Sequence, residues 1–417
     1  YFKILPELWS VTPTEGTVGK IVTIRGTGYK AGELVTIHFG VTRTITTTSV
    51  DVQGSFTVTF TVDTQSYGST TIVAVDSVAG EAINYFKILP ELWFVQPTEG
   101  TVGKIVTLRG TGYKAGELVT IHFGVTRTIT TTSVDVQGSF TTTFTVDTQS
   151  YGSTTIIAVD PVAGEAINYF KILPELWSVQ LTEGTVGNLV TLRGTGYKAG
   201  ELVTIHFGVT KTITTTNAVG EGSFTVTWTV DTQSYGTTTL VAVDSIAGEA
   251  VNYFKILPEL WSVTPVEGTV GKIVTIRGTG YKAGQVVTIH FGTTKTITTM
   301  NVDTQGSFTT TFTVDTQSYG STTIIAIDPV AGAAINYFKI LPELWSVTPT
   351  EGKVGTMITI RGTGYESSEQ VYIHFGTTKT ITMTTADIIG SWTTTFTVDY
   401  QAYATTTITA GGLLNCH

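Results

Sequence analysis

Phe56-Thr-Val-Thr-Phe-Thr-Val62 alternates apolar side chains and threonine without a break. A period of two puts Phe56, Val58, Phe60 and Val62 on one face and Thr57, Thr59 and Thr61 on the other, as in a half-buried β-strand. The turn Asp51-Val-Gln-Gly54 leads into it. Upstream, residues 20–25, 34–39 and 42–48 read as further strands, and the glycine-rich stretch 26–32 reads as a turn. Val35, Ile37 and Phe39 share one face of their strand, with Thr36 and His38 on the other. Residues 8–12 form a strand ahead of Pro13, and 15–19 read as a loop. Downstream, 70–75 and 82–89 complete the set; Lys87 belongs in solvent, which assigns Phe86 and Ile88 to the core. About seven short strands with turns between them and no helix signal define an all-β, two-sheet sandwich.

The same reading applies along the whole chain. Tyr1-Phe-Lys-Ile-Leu-Pro-Glu-Leu-Trp9 returns at Tyr85, Tyr169, Tyr253 and Tyr337, a period of 85 − 1 = 84 residues and five copies. Copies one and two differ at six positions: Ser10/Phe94, Thr12/Gln96, Ile24/Leu108, Val58/Thr142, Val73/Ile157 and Ser77/Pro161. A fixed period defines a linear tandem array. Near-copies present one surface five times, whereas an enzyme needs different groups converging on one place, so the array reads as structural or binding rather than catalytic.

The period and the fold are out of register. The last strand runs through the repeated block and Pro90 opens the next unit, so the folded units are expected at 6–89, 90–173, 174–257, 258–341 and 342–417. Residues 1–5 are then a final strand with no unit of their own, and the fifth unit lacks its last strand.

Of the 417 residues, 13% are charged, about half the usual share, while 41% are hydrophobic and 45 are glycine. A threonine-coated surface suits lateral packing and O-glycosylation. The net charge of −9 argues against nucleic acid, which needs concentrated Lys and Arg. No apolar run is long enough to span a membrane as a helix. Cys416 is the single cysteine, so no disulfide forms within the chain. No Asn-x-Ser/Thr sequon occurs, and no signal peptide precedes Tyr1, which already lies inside the repeat; the chain reads as processed or excerpted.

The run Pro13-x-x-Gly16-x-x-Gly19-x-x-Val22-Thr-Ile-x-Gly26-x-Gly28-Tyr29, with Gly32-Glu33-x-Val35-Thr-Ile-x-Phe39-Gly40 and Asp51-x-x-Gly54-Ser-Phe-Thr-x-Thr-Phe-Thr-Val62, resembles prokaryotic surface repeats of the IPT/TIG immunoglobulin-like type. The resemblance covers all five copies. It implies Ig-like sandwiches in a secreted or surface-displayed rod, and it brings no catalytic residue with it.

Each candidate site has a plain alternative. His38, His122, His206, His290 and His374 recur one per unit, too far apart to share a metal, and read as outward strand residues. Glu33, Asp51, Asp63, Asp76 and Glu81 lie at strand ends, where calcium would bind between units, but they lack a calcium-loop pattern and read as turn-forming acids. Gly26-Thr-Gly28 lacks the third glycine and helix of a nucleotide fingerprint. The Thr57/Thr59/Thr61 row resembles an ice-binding array but also follows from β-propensity. Trp9, Trp93, Trp177, Trp261 and Trp345 alternate with a polar position and are assigned to the core rather than to sugar stacking. Phe94 takes the outward Ser10 position and marks an interdomain or lateral contact. No cofactor is implied.

The function expected is a structural subunit of an extracellular filament, pilus-like fibre or surface layer. The alternative is an adhesin stalk; ice-binding and carbohydrate-binding repeats rank lower. For the filament, Tyr1, Phe2, Lys3, Ile4 and Leu5 of one subunit are the donor strand and Thr405, Thr406, Thr407, Ile408, Thr409 and Ala410 of the next are the acceptor. Phe2 and Ile4 enter the core, giving a head-to-tail homopolymer. The competing reading folds residues 413–417 back as a substitute strand.

Overall fold

The computed structural model describes residues 1–40, 44–124, 127–208, 211–292, 295–376 and 380–412. In the first unit the strands are β1 (Glu7–Thr12), β2 (Glu15–Gly16), β3 (Ile21–Thr27), β4 (Leu34–Phe39), β5 (Thr44–Ser49), β6 (Phe56–Thr61), β7 (Gly68–Asp76) and β8 (Gly80–Ile88). They form a three-stranded sheet, β1-β3-β6, facing a five-stranded sheet, β2-β8-β7-β4-β5. Every pairing is antiparallel except β2 with β8, where Glu15 lies opposite Lys87 and Gly16 opposite Ile88. Units two to four repeat both sheets in the same order. The chain is therefore all-β, an array of Ig-like sandwiches.

The period-two strands build the core directly. Val22, Ile24, Phe56 and Phe60 from the smaller sheet meet Val35, Ile37, Phe39, Ile72, Ala74, Phe86 and Ile88 from the larger, all buried. Phe39 joins the two sheets, its ring 5.4 Å from that of Phe60 and 6.2 Å from that of Phe86. Burying a side chain of this size contributes about 1.5–3 kcal/mol. Thr57, Thr59 and Thr61 are exposed, so the threonine row does face outward.

Two expectations are corrected. The tryptophans are not core residues: Trp9, Trp93, Trp177, Trp261 and Trp345 are each 51–54% exposed. Leu8 pairs with Gly26 and Ser10 with Arg25, so Trp9 is the additional residue of a β-bulge and Leu8 turns inward in its place. The bulge recurs at Leu92/Phe94, Leu176/Ser178, Leu260/Ser262 and Leu344/Ser346. The second correction is 15–19, read as a loop: Glu15 and Gly16 pair with β8.

The fifth unit is built differently. Its smaller sheet is complete, Glu343–Thr348, Met357–Thr363 and Trp392–Thr397. Its other sheet has three strands in the order Thr380–Thr385, Gln370–Phe375, Ile408–Gly412. Among the described residues nothing takes the places of β2 and β8. Leu344 and Val347 are consequently only partly buried, whereas their counterparts Leu8 and Val11 are buried.

Candidate interaction sites at the unit junctions and the open edge

Two residues, Leu89 and Pro90, separate β8 from the first strand of the second unit, Glu91–Gln96. The N–H of Leu89 donates to the Gly16 carbonyl at 3.0 Å, and that of Lys87 donates to the Thr14 carbonyl at 3.0 Å, so the first unit holds the connection to its last residue. On the far side the connection rests on Gly112. This residue has a φ of 75°, and a Cβ there would collide with the Leu89 carbonyl. The second glycine of Gly-Thr-Gly-Tyr thus serves close approach of the connecting backbone as well as a turn.

A second contact fixes the orientation of the neighbours. The loop between β6 and β7 carries Gln65-Ser66-Tyr67. The Tyr67 N–H donates to the Tyr113 carbonyl of the next unit at 3.0 Å. The Ser66 hydroxyl donates to the same carbonyl at 3.3 Å and accepts from the Ala115 N–H at 3.0 Å. Only a side chain that both donates and accepts can close this arrangement. Gly138, at φ 79°, lies beneath the loop, where a Cβ would come within 2.6 Å of the Ser66 Cα.

The hook recurs with little change. At the second junction, Ser150 and Tyr151 hold Tyr197 and Ala199 over Gly222; at the third, Ser234 and Tyr235 hold Tyr281 and Ala283 over Gly306. At the fourth, the Tyr319 N–H donates to the Tyr365 carbonyl at 2.9 Å and Ser318 lies over Gly390. Taken one residue at a time, these groups resemble ordinary turn residues. Their signal is the unvarying Asp-Thr-Gln-Ser-Tyr at 63–67, 147–151, 231–235 and 315–319, which becomes Asp-Tyr-Gln-Ala-Tyr at 399–403.

The strand-end acids act locally. Asp51 Oδ1 accepts from the N–H groups of Gln53 and Ser55, and Asp63 Oδ1 from that of Thr64. Asp76 is buried; its carboxylate accepts from Val78, Ala79 and Lys30, tying the β7–β8 turn to the loop whose counterparts in later units meet the preceding unit. Burial alone would raise this carboxyl, but the three backbone donors outweigh it and hold it below the usual carboxylate range. In the fifth unit Gly412 stands at the aspartate position, and Glu369 occupies the vacated space, accepting from the Glu366 N–H at 3.0 Å. Each of the five recurring histidines meets a threonine of the adjacent strand, as His38 meets Thr44 at 3.2 Å.

Phe94 is partly buried, with the Arg109 guanidinium 4.8 Å from its ring centroid and Trp93 5.5 Å away. Tyr1, Phe2, Ile4 and Leu5 are exposed, and no strand is assigned to residues 1–5. Of the acceptor residues, Ile408, Thr409 and Ala410 lie in the edge strand Ile408–Gly412, while Thr405, Thr406 and Thr407 precede it. The Ala410 carbonyl accepts from the Tyr365 hydroxyl at 3.1 Å. Burial and the neighbouring Glu369 push that phenol up to about 12. Cys416 and the fold-back reading of 413–417 lie outside the described residues.

Residues 342–412 match the family model of the IPT/TIG domain, so the fifth unit carries the resemblance drawn from its sequence, and the other four repeat that sequence closely. No curated protein matches the chain. Among solved structures, a tetra-tandem repeat from the extending region of a large adhesion protein is similar at 16% identity, covering 81% of this chain and 98% of its own, with a TM-score of 0.21. Invasin, a bacterial integrin-binding protein, is similar at 14% identity over 81% of each chain, TM-score 0.21. A Bacteroides ovatus mixed-linkage glucan utilization locus protein, SGBP-B, is similar at 13% identity over 75% of this chain and 92% of its own, TM-score 0.23. At such scores the likeness assigns no function.

Proposed function

We propose, from an IPT/TIG-type unit repeated five times and hooked to itself at each step, that this chain is a non-catalytic structural array displayed outside the cell. Its role is that of the load-bearing spacer of an adhesin-type surface protein. The observation that carries the reading is the junction: a two-residue connection, seated on glycine, with a serine and a tyrosine of one unit bonded to the backbone of the next. Such joints hold a projected shape, whereas a flexible display would need polar linkers. Asp51, Asp63 and Asp76 accept from backbone N–H groups and so serve turns within the unit.

The strand order suits tension. The entering segment β2 and the leaving strand β8 lie parallel, so a pull on the two ends shears their hydrogen bonds together instead of opening them one at a time. Forced unfolding is a matter of this barrier rather than of equilibrium stability. Single-molecule stretching should show the fifth unit, without this pair, yielding at lower force than the other four. Five indistinguishable unfolding forces would remove the mechanical basis of the reading.

The open edge of the fifth unit favours a second reading, in which arrays join head to tail by strand donation. Phe86 and Ile88 of β8 are fully buried, and their counterparts in residues 1–5 are Phe2 and Ile4, both exposed. Replacing Phe2 and Ile4 with alanine should then abolish self-association. Unchanged association in that variant counts against strand donation.

A further inference from the structure

We infer that the outer face of the smaller sheet is a saccharide-binding platform, repeated in each unit, and that its ligand is a neutral polysaccharide. Trp9 is aimed outward by construction. Strict alternation back from Val11 would turn Trp9 inward and Leu8 outward, and the bulge reverses both. Asn84 Nδ2 donates across from β8 to the Leu8 carbonyl at 2.7 Å, and Asn168, Asn252 and Asn336 hold the next three bulges in the same way. Neither core nor joint covers the ring: Trp93, Trp177 and Trp261 belong to units with a folded neighbour on each side and remain 51–54% exposed. The Arg25 guanidinium stands 5.9 Å from the Trp9 ring centroid, and Arg277 stands 6.0 Å from that of Trp261, steadying the indole.

The surroundings of the ring select the ligand. Across the sheet Ser10 lies opposite Arg25 and Arg25 opposite Thr57; in the next row Thr12 lies opposite Thr23 and Thr23 opposite Thr59. Apart from Ile21 at the far end, the outward positions beside the indole carry hydroxyls and a guanidinium. The three strands of each unit hold one acid and one base, Glu7 and Arg25 in the first, so the face has no net charge. Such a face suits neither a polyanion nor the apolar centre of a protein partner. A pyranose with all its ring substituents equatorial, as in a β-linked glucan, presents a flat C–H face to an aromatic ring and hydroxyls at its rim. Stacking on the indole and hydrogen bonds to the threonines and Arg25 match the two. In the second unit Phe94 widens the platform, its ring 5.5 Å from Trp93 with Arg109 4.8 Å from its centroid. One modest platform per unit suits a ligand that itself repeats, because linked contacts raise avidity. This holds whether or not the array bears load.

The test is affinity electrophoresis of the full chain through hydroxyethylcellulose, a soluble β-linked glucan, with cellohexaose titrations alongside. The parent should be retarded by the polymer. The chain with Trp9, Trp93, Trp177, Trp261 and Trp345 all changed to alanine should run as it does without polymer. A chain keeping Trp93 alone should bind the polymer about 100- to 10,000-fold more weakly than the parent, yet bind cellohexaose with an unchanged affinity per site. Phe94→Ser in that chain should loosen cellohexaose about 2- to 10-fold. Circular dichroism melts establish that each chain is folded, and threonine, a strand former, replaces alanine where a melt shifts. A parent that the polymer does not retard overturns the platform. Equal retardation of the parent and the five-alanine chain also overturns it, since binding then lies elsewhere. So does a parent that ignores the polymer but self-associates through these tryptophans in the ultracentrifuge, which would make the face a protein contact.

Discussion

Replacing the three hook serines Ser66, Ser150 and Ser234 with alanine isolates what the hook contributes. Each substitution removes one bond to a tyrosine carbonyl and one from an alanine N–H, and leaves the Tyr67-type bond in place. A net value of about 0.5–1.5 kcal/mol per hydrogen bond gives about 1–3 kcal/mol per junction. Local opening at the joint should become about 5- to 150-fold more frequent. Hydrogen exchange read at Ala115, Ala199 and Ala283 reports that opening, because those amides lose their acceptor. The serines lie outside the core clusters, so amides in strands such as Ile105–Thr111 should keep their protection. Unchanged exchange at the three alanines would refute the assignment of the hook, and a loss of protection throughout the units would show that the serines stabilise the fold rather than the joint.

Two further outcomes follow from burial and charge. Leu8→Ala should cost the first unit about 2–5 kcal/mol and Trp9→Ala no more than about 1 kcal/mol, because Leu8 is buried and Trp9 half exposed; chemical denaturation of the two variants ranks them, and the reverse order would contradict the bulge. Asp76 has its folded pKa lowered, so its contribution is present above the ordinary carboxylate pKa and fades as pH falls through the folded value. Stability of the first unit should drop more steeply below about pH 4 in the parent than in Asp76→Asn; equal slopes would remove the charge from the account of that turn.

Much of the fold could be read from side-chain alternation. Phe56–Thr61 and the inward Phe86 and Ile88 follow from period two, and the repeat extends that reading to each unit. Trp9 could not be placed that way, since a bulge shifts the alternation by one residue and nothing local to Leu8-Trp9-Ser10 marks it. The two residues of β2 are too few to show a period, and their pairing depends on β8, some seventy residues away. The junction escaped for a related reason. Ser66 and Tyr67 look like ordinary turn residues until folding brings them to the backbone of the next unit, and only the unvarying Asp-Thr-Gln-Ser-Tyr and its change at Ala402 hint that the position is used. The threonine row, by contrast, faces solvent as alternation required.

Small-angle X-ray scattering of the full chain, compared with the three-serine variant, tests the central claim that hooked joints make the array a stiff rod. With about 3.3 Å per strand residue plus loops, each unit spans roughly 30–40 Å and five units roughly 15–20 nm. The parent should scatter as a single-sandwich-wide rod with a longest dimension in that range, and the variant should shorten on average and acquire the profile of a jointed chain. A parent profile that is compact or freely jointed, or one that the three substitutions leave unchanged, would contradict the account.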